Sequence, residues 1–136
     1  MTLAFQDRRI LPASPESVWS TLTDFSRAAE WMPGVTDMRA DGPLAVGTLL
    51  HYRAQGREQT STVSALDPGR SLTLTSERSG VRADYRYDLE PEGSGTAVAL
   101  SADVVTSGPM RLLGGVIRSA IAKADGAQLE RLGTLF

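Results

Sequence analysis

Three side chains in this sequence could take part in acid–base chemistry: His51, Tyr85 and Tyr87. The two tyrosines are two residues apart in a stretch that alternates apolar and charged residues, so a β-strand would place both phenols on one face. A buried phenol needs a hydrogen-bond partner, and in a cavity the partner can be a ligand. The only histidine has an ordinary pKa that suits proton transfer near neutral pH. No catalytic residue is assigned, and these three are the candidates.

Each candidate also has a purely structural interpretation. Tyr85 and Tyr87 could be packing residues beneath a helix. His51 alternates with Leu50 and Tyr52, which predicts that it lies on the opposite face of its strand from these two, hydrogen-bonded or partly exposed. A register shift of one residue would turn His51 to the cavity side instead. The sequence leaves these alternatives open.

Several classes of chemistry are excluded by composition. The chain has no cysteine and one histidine, so we expect no disulfide and no metal site, and no cofactor-binding motif is present. A formal net charge of −2 argues against a nucleic-acid partner. No apolar run reaches the roughly 18 residues of a transmembrane segment, and the first ten residues lack a signal-peptide core. We therefore expect a cytoplasmic protein without cofactor.

The longest periodic stretch is at the carboxyl end, from Pro109 to Phe136. Residues recur there on one helical stripe at spacings of three and four: Met110, Leu113, Ile117, Ile121, Ala124, Gln128, Leu132 and Leu135. This predicts a long amphipathic helix that begins at Pro109. Gly114, Gly115 and Gly126 each cost such a helix about 1 kcal/mol relative to alanine, which indicates a kink near Gly114 or a close backbone contact.

The rest of the chain predicts a sheet. Residues 2–11 form a first strand, and Ser14 caps a short helix that begins at Pro15. A shorter helix follows and ends before Pro33. About six strands are then predicted over residues 35–39, 47–55, 57–66, 71–76, 81–90 and 96–105. Strands separated from helices in this way favour an α+β fold, with a curved antiparallel sheet of six to seven strands around the long C-terminal helix. Residues 1–136 are expected to form a single domain.

Several short motifs resemble one known superfamily. The string from Leu11 to Trp19 is similar to the opening of the START-like (SRPBCC) helix-grip superfamily. The segments that follow resemble its bacterial polyketide cyclase/dehydrase and lipid-transport branch: Asp24-Phe25, Glu30-Trp31-Met32-Pro33-Gly34-Val35, Gly47-Thr48, Asp67-Pro68, Tyr87-Asp88-Leu89 and Gly95-Thr96. The resemblance covers essentially the whole chain and implies a deep apolar cavity between the sheet and the long helix. It names no ligand, since fold alone does not fix function.

The leading functional hypothesis is that this cavity binds a small hydrophobic molecule, lipid-like or polyketide-like, for transport or sequestration. The predicted ligand-binding wall consists of Trp31, Met32, Val35, Tyr52, Leu72, Leu74, Tyr85, Tyr87, Val98, Leu100, Met110, Leu113 and Ile117. The tyrosine hydroxyls would set the orientation of the ligand. The expected partner is thus a small molecule, and the sequence leaves open whether the chain forms a homodimer.

Two alternatives belong to other classes. A polyketide aromatase/cyclase or dehydratase would act mainly by positioning its substrate and would need ionisable groups inside the cavity. The sequence offers the tyrosines but no evident acid–base pair, and nothing in the spacing selects Glu30, Asp37 or Glu77 as cavity carboxylates. The other alternative is a protein-interaction module with a vestigial cavity.

Overall fold

Seven strands form one antiparallel sheet in the computed structural model, which describes residues 2–136. The strands are β1 (Thr2–Leu11), β2 (Val35–Ala40), β3 (Leu49–Ala54), β4 (Arg57–Asp67), β5 (Ser71–Arg78), β6 (Val81–Glu92) and β7 (Gly95–Thr106). Their order in the sheet is β1-β7-β6-β5-β4-β3-β2, so the first two strands of the chain lie at opposite edges. The remaining strands follow one another as a meander. The predicted curved antiparallel sheet is confirmed.

The alternating sequence of β6 determines which side chains face the core. Tyr85 lies opposite Leu74 on β5 and Ala102 on β7, and Tyr87 lies opposite Leu72 and Leu100. Directly opposed residues share a face of the sheet. The apolar rows of three strands therefore meet on the concave face, and the charged row of β6 lies on the outer face.

Two short helical segments connect β1 to β2, as the sequence predicts. The helix α1 (Pro15–Thr23) is capped by Ser14, whose hydroxyl accepts a hydrogen bond of 3.2 Å from the backbone N–H of Ser17. A 3-10 helix, Phe25–Glu30, follows and ends at Trp31. α1 buries Val18 and packs on β6 and β7, so it closes one end of the concave face.

The long C-terminal helix is also confirmed, over residues 108–133, and it consists of three consecutive pieces. They are a 3-10 helix Gly108–Leu113, then α2 (Gly114–Asp125) and α3 (Gln128–Gly133). The predicted irregularity at Gly114 is the point where the 3-10 helix gives way to α2. A Cβ atom on Gly114 would lie 3.0 Å from Nη1 of Arg118 and 3.4 Å from Oγ1 of Thr106, so the backbone also approaches its neighbours closely there.

The two ends of this helix are buried to different degrees. In α3, Leu129 and Leu132 are fully buried, and the segment packs on β1. In α2, Ile117 and Ile121 are only half-buried, although their stripe faces the sheet. The helix therefore packs tightly on the sheet at its carboxyl end and leaves open space beneath α2. Within residues 2–136, no helix combines the length and the apolar character needed to span a bilayer.

Candidate functional site

A pocket of about 920 Å³ lies between the concave face of the sheet and α2. One wall is formed by β3 to β6, whose inward side chains include Tyr52, Leu74 and Tyr85. The opposite wall is the half-buried face of α2, and the segment from Met32 to Val35 borders the opening. The pocket exists because α2 lies over the sheet without filling the space below it.

A chain of four polar side chains crosses the inner end of this pocket, from β6 to the helix. Tyr85 donates a short hydrogen bond to the carboxylate of Asp125. Tyr87 donates to Oε1 of Gln128 at 2.6 Å, and the Gln128 amide lies 3.5 Å from Oδ1 of Asp125. The two phenols share one face of a strand, and Asp125 and Gln128 are three residues apart around the junction of α2 and α3. We call these four residues the polar cluster.

Burial changes the acidity of the polar cluster. It raises the pKa of both Tyr85 and Tyr87 far above the ordinary value, and the negative charge of Asp125 raises it further. Burial also raises the pKa of Asp125, although the hydrogen bonds from Tyr85 and Gln128 partly offset this. The phenols therefore remain protonated donors, and Asp125 is the group of the cluster whose charge state can change.

Within residues 2–136, Asp125 has no cationic partner, and its hydrogen-bond donors are the neutral groups of Tyr85 and Gln128. A partly buried carboxylate without a countercharge is costly to a fold and is a common feature of binding and catalytic sites. No sequence motif singles out Asp125. The one signal was the neighbouring Gln128, a polar residue on an otherwise apolar helical stripe.

Two further contacts involve one residue of the pocket wall, Tyr52, and one residue behind the wall, Trp31. The hydroxyl of Tyr52 lies 3.2 Å from Oγ of Ser61 on the neighbouring strand. Trp31 packs edge-to-face against Tyr87, with 5.9 Å between ring centroids. Its indole Nε1 is buried and has no hydrogen-bond partner in the described part of the chain. Trp31 thus supports the ring of Tyr87 from behind.

The pocket rim, in contrast, carries charged side chains of both signs: Glu58 and Glu77 border it beside two arginines. Arg57 begins β4 opposite Ala54, and Arg78 ends β5 opposite Val81. Both arginines are exposed, border the pocket, and lie on the same strand faces as its inward residues. Neither forms an ion pair within residues 2–136. Their guanidinium groups are therefore free to meet a ligand at the opening.

About half of the predicted binding wall borders the pocket: Met32, Val35, Tyr52, Leu74, Tyr85, Tyr87 and Ile117. The other predicted residues do not border it. Trp31, Leu72, Val98 and Leu100 are fully buried in the core, Leu113 is 46% exposed, and Met110 packs beside Gly80. Alternation predicts the face of a strand but not how far along the strand a helix covers that face, which explains the difference.

The remaining candidates lie away from the polar cluster. His51 is on the opposite face of β3 from Tyr52, and its Nε2 lies 2.7 Å from Oδ2 of Asp41. Of the three carboxylates considered from sequence, Glu77 borders the pocket, Glu30 pairs with Arg27, and Asp37 lies in β2. Pocket residues that the predicted wall lacks include Met38, Gln59, Ser61, Ser76, Ala83, Ile121, Ala124, Asp125 and Gln128.

Known structures share this architecture. TTHA0849 from Thermus thermophilus is 19% identical, with a TM-score of 0.73 over 95% of this chain and 93% of that chain. CalU16 from Micromonospora echinospora is 25% identical, with a TM-score of 0.62 over 96% of this chain and 71% of that chain. The di-domain ARO/CYC StfQ from the steffimycin biosynthetic pathway is 14% identical, with a TM-score of 0.73 over 97% of this chain and 49% of that chain.

At the level of sequence, the chain matches one protein family. No curated protein sequence matches the chain. The profile of one family, described as polyketide cyclase / dehydrase and lipid transport, matches residues 2–136. The resemblance identified from the sequence motifs is thereby confirmed, and the chain belongs to the polyketide cyclase / dehydrase and lipid transport family of the START-like (SRPBCC) superfamily.

Proposed function

We propose that the chain binds a small hydrophobic molecule, lipid-like or polyketide-like, in the pocket between the sheet and α2. The observation that carries this proposal is a pocket of about 920 Å³ with mainly apolar walls and a polar cluster at its inner end. Its volume falls within the range of small-molecule sites, and a few convergent polar groups on apolar walls are typical of them.

The partial burial of three apolar wall residues supports the same function. Val35, Ile117 and Ile121 are only half-buried, although they face the pocket. A ligand that covers such side chains gains about 25 cal/mol for each Å² of apolar surface removed from water. The molecule that fills the pocket would therefore complete the apolar core of the protein, and the polar cluster would orient it.

Fluorescence titration with anthracene, an uncharged apolar probe, tests this proposal. The variant Ser76→Trp should abolish binding, because its indole would occupy the pocket from β5. Thr73→Trp is the matched control. Thr73 lies on the other face of the same strand, so a tryptophan there adds the same bulk outside the pocket. Native mass spectrometry of freshly purified protein should also detect a bound small molecule. Equal binding by both variants would contradict the proposal.

One observation favours a second candidate function, a polyketide cyclase or dehydratase. The structure pairs a carboxylate, Asp125, with a phenol, Tyr85, inside the pocket. An ionised Asp125 could remove a proton from the carbon between two ketones of a bound poly-β-ketone. The resulting enolate would attack a ketone of the same chain, and the protonated Asp125 would return its proton to the new alkoxide.

Turnover separates the two functions. For a cyclase, Asp125→Asn should abolish conversion of a poly-β-ketone analogue while anthracene still binds. For a carrier, the wild-type protein should bind both compounds and leave the analogue unchanged. Product analysis by mass spectrometry, with the protein omitted in a parallel reaction, distinguishes these results from spontaneous cyclisation.

A further inference from the structure

The charged groups that border the pocket differ between its two ends, along the direction of β5. At its inner end, Leu74 is buried opposite Tyr85, which holds Asp125. At its rim, Arg78 is exposed opposite Val81. Arg78 lies four positions after Leu74 in the strand, which corresponds to about 13 Å at the usual rise per residue. A ligand that spans this distance meets a carboxylate at its inner end and guanidinium groups at its outer end.

The inner end also has unused hydrogen-bond capacity. An ionised carboxylate offers about four lone-pair sites, and Asp125 uses two of them for Tyr85 and Gln128. Tyr87 cannot supply a third bond, because its hydroxyl already donates to Gln128. Within residues 2–136 no third donor bonds to Asp125, which borders the pocket, so its remaining lone pairs are open to a bound molecule or to water.

Charge then limits what that molecule can be. The donors that hold Asp125 are neutral, and it has no ion-pair partner within residues 2–136, so nothing at the inner end would compensate a second negative charge. Two carboxylates in partly desolvated contact repel one another strongly. A neutral hydroxyl, in contrast, would add a charge-assisted hydrogen bond.

We propose that the inner end of the pocket selects ligands whose buried end carries a neutral hydrogen-bond donor, such as a phenol or an alcohol, and rejects ligands whose buried end is a carboxylate. This inference rests on the proposed binding function and specifies its ligand class. A molecule with an anionic group at only one end would bind with that group at the rim, beside Arg57 and Arg78.

Three rigid, fluorescent probes of matched shape test the inference: anthracene, anthracene-2,6-diol and anthracene-2,6-dicarboxylate. Substituents at both ends ensure that either orientation places one of them at Asp125. The measured quantity is the ratio of dissociation constants, dicarboxylate over diol, at a pH just above neutral. Asp125→Asn should lower this ratio about tenfold or more, because it removes the repelling charge and keeps the shape.

Two further variants control the measurement. Asp88→Asn removes the same charge from the outer face of β6, where Asp88 pairs with Arg86, and should leave the ratio unchanged. Tyr85→Phe removes a hydroxyl that occupies Asp125 and, at a pH where Asp125 is ionised in this variant too, should raise the ratio, since a ligand hydroxyl would take its place. The ratio should therefore change in opposite directions in the two variants, and Tyr85→Phe tests the inference even if Asp125→Asn does not fold.

The outcomes separate the inference from the function on which it rests. If wild type binds none of the probes, both are overturned. If anthracene binds but the ratio is the same in wild type, Asp125→Asn and Tyr85→Phe, the pocket binds apolar molecules and the donor selection alone is overturned. A ratio that falls in Asp125→Asn and rises in Tyr85→Phe supports both.

Discussion

Tyr85 in the middle of β6 donates its phenolic hydroxyl to the carboxylate of Asp125 at the end of α2, 40 residues later in the chain. With the parallel bond from Tyr87 to Gln128, it ties the C-terminal helix to the centre of the sheet. The helix is thus fixed at its carboxyl end by apolar packing and these two bonds, whereas α2 lies above the pocket. The predictions about stability, and the proposed ligand selection, both depend on this arrangement.

Removal of the hydrogen bond between Tyr87 and Gln128 should lower the stability of the protein. Tyr87→Phe leaves Oε1 of the buried Gln128 without its donor, so the free energy of unfolding should fall by about 1–3 kcal/mol. Tyr52→Phe is the matched control, because the Tyr52 hydroxyl is only partly buried beside Ser61, and its effect should be smaller. Urea denaturation measures both, and equal losses would contradict the prediction.

The raised pKa of Asp125 predicts how stability changes with pH. Folding raises this pKa through burial, so the folded protein holds the proton more tightly than the unfolded chain. The resulting stabilisation is complete below the unfolded pKa and is lost as pH rises through the folded pKa. The free energy of unfolding of wild type minus that of Asp125→Asn should therefore fall as pH rises through the acid range.

This pH dependence is measured by urea denaturation at a series of pH values. Asp88→Asn changes the net charge by the same amount on the outer face and corrects for the overall charge of the protein. A difference between wild type and Asp125→Asn that rises with pH would mean that Asp125 is stabilised as an anion, contrary to the prediction.

The cap of α1 predicts a local effect of mutation. Ser14→Ala removes the hydroxyl that accepts from the N–H of Ser17, so stability should fall by about 1 kcal/mol. Ser14→Asp supplies another capping oxygen and should retain most of the stability. Thermal denaturation of the two variants tests the prediction, which fails if the aspartate variant is the less stable one.

Substitution of alanine for two of the glycines should change stability in opposite directions. At Gly95, the start of β7, an added Cβ would overlap the carbonyl oxygen of Leu11, so Gly95→Ala should cost about 1–3 kcal/mol through overpacking. At Gly115 in α2 the nearest atom to an added Cβ is Nη2 of Arg118, at 4.0 Å. Gly115→Ala should therefore stabilise the protein by about 0.4–1 kcal/mol by restricting the unfolded chain. Urea denaturation of both variants tests the contrast, and a gain at Gly95 would refute it.

Most of the fold is predictable because it depends on local patterns. Alternation over residues 81–90 identifies β6 and its inward face, and the serine–proline pair at residues 14 and 15 identifies the start of α1. A period close to 3.6 identifies the C-terminal helix, and Gly114 marks its irregularity. Each of these signals lies within one element, where steric and hydrogen-bonding preferences act between near neighbours.

The candidate site is only partly predictable, because it depends on how far elements overlap. The sequence places Tyr85 and Tyr87 on the inward face but does not indicate that Leu100 is sealed in the core while Ile117 borders open space. Nor does it indicate that Asp125 meets Tyr85, since that contact requires α2 to cross the sheet at one position and to end there.

By itself, the sequence determined the order of the elements, the faces of the strands and the family to which the chain belongs. Only the tertiary structure decided where the pocket lies and that a carboxylate is held at its inner end. The physical reason is that strand faces follow from steric rules between neighbouring residues, whereas the pairing of Tyr85 with Asp125 follows from packing across 40 residues.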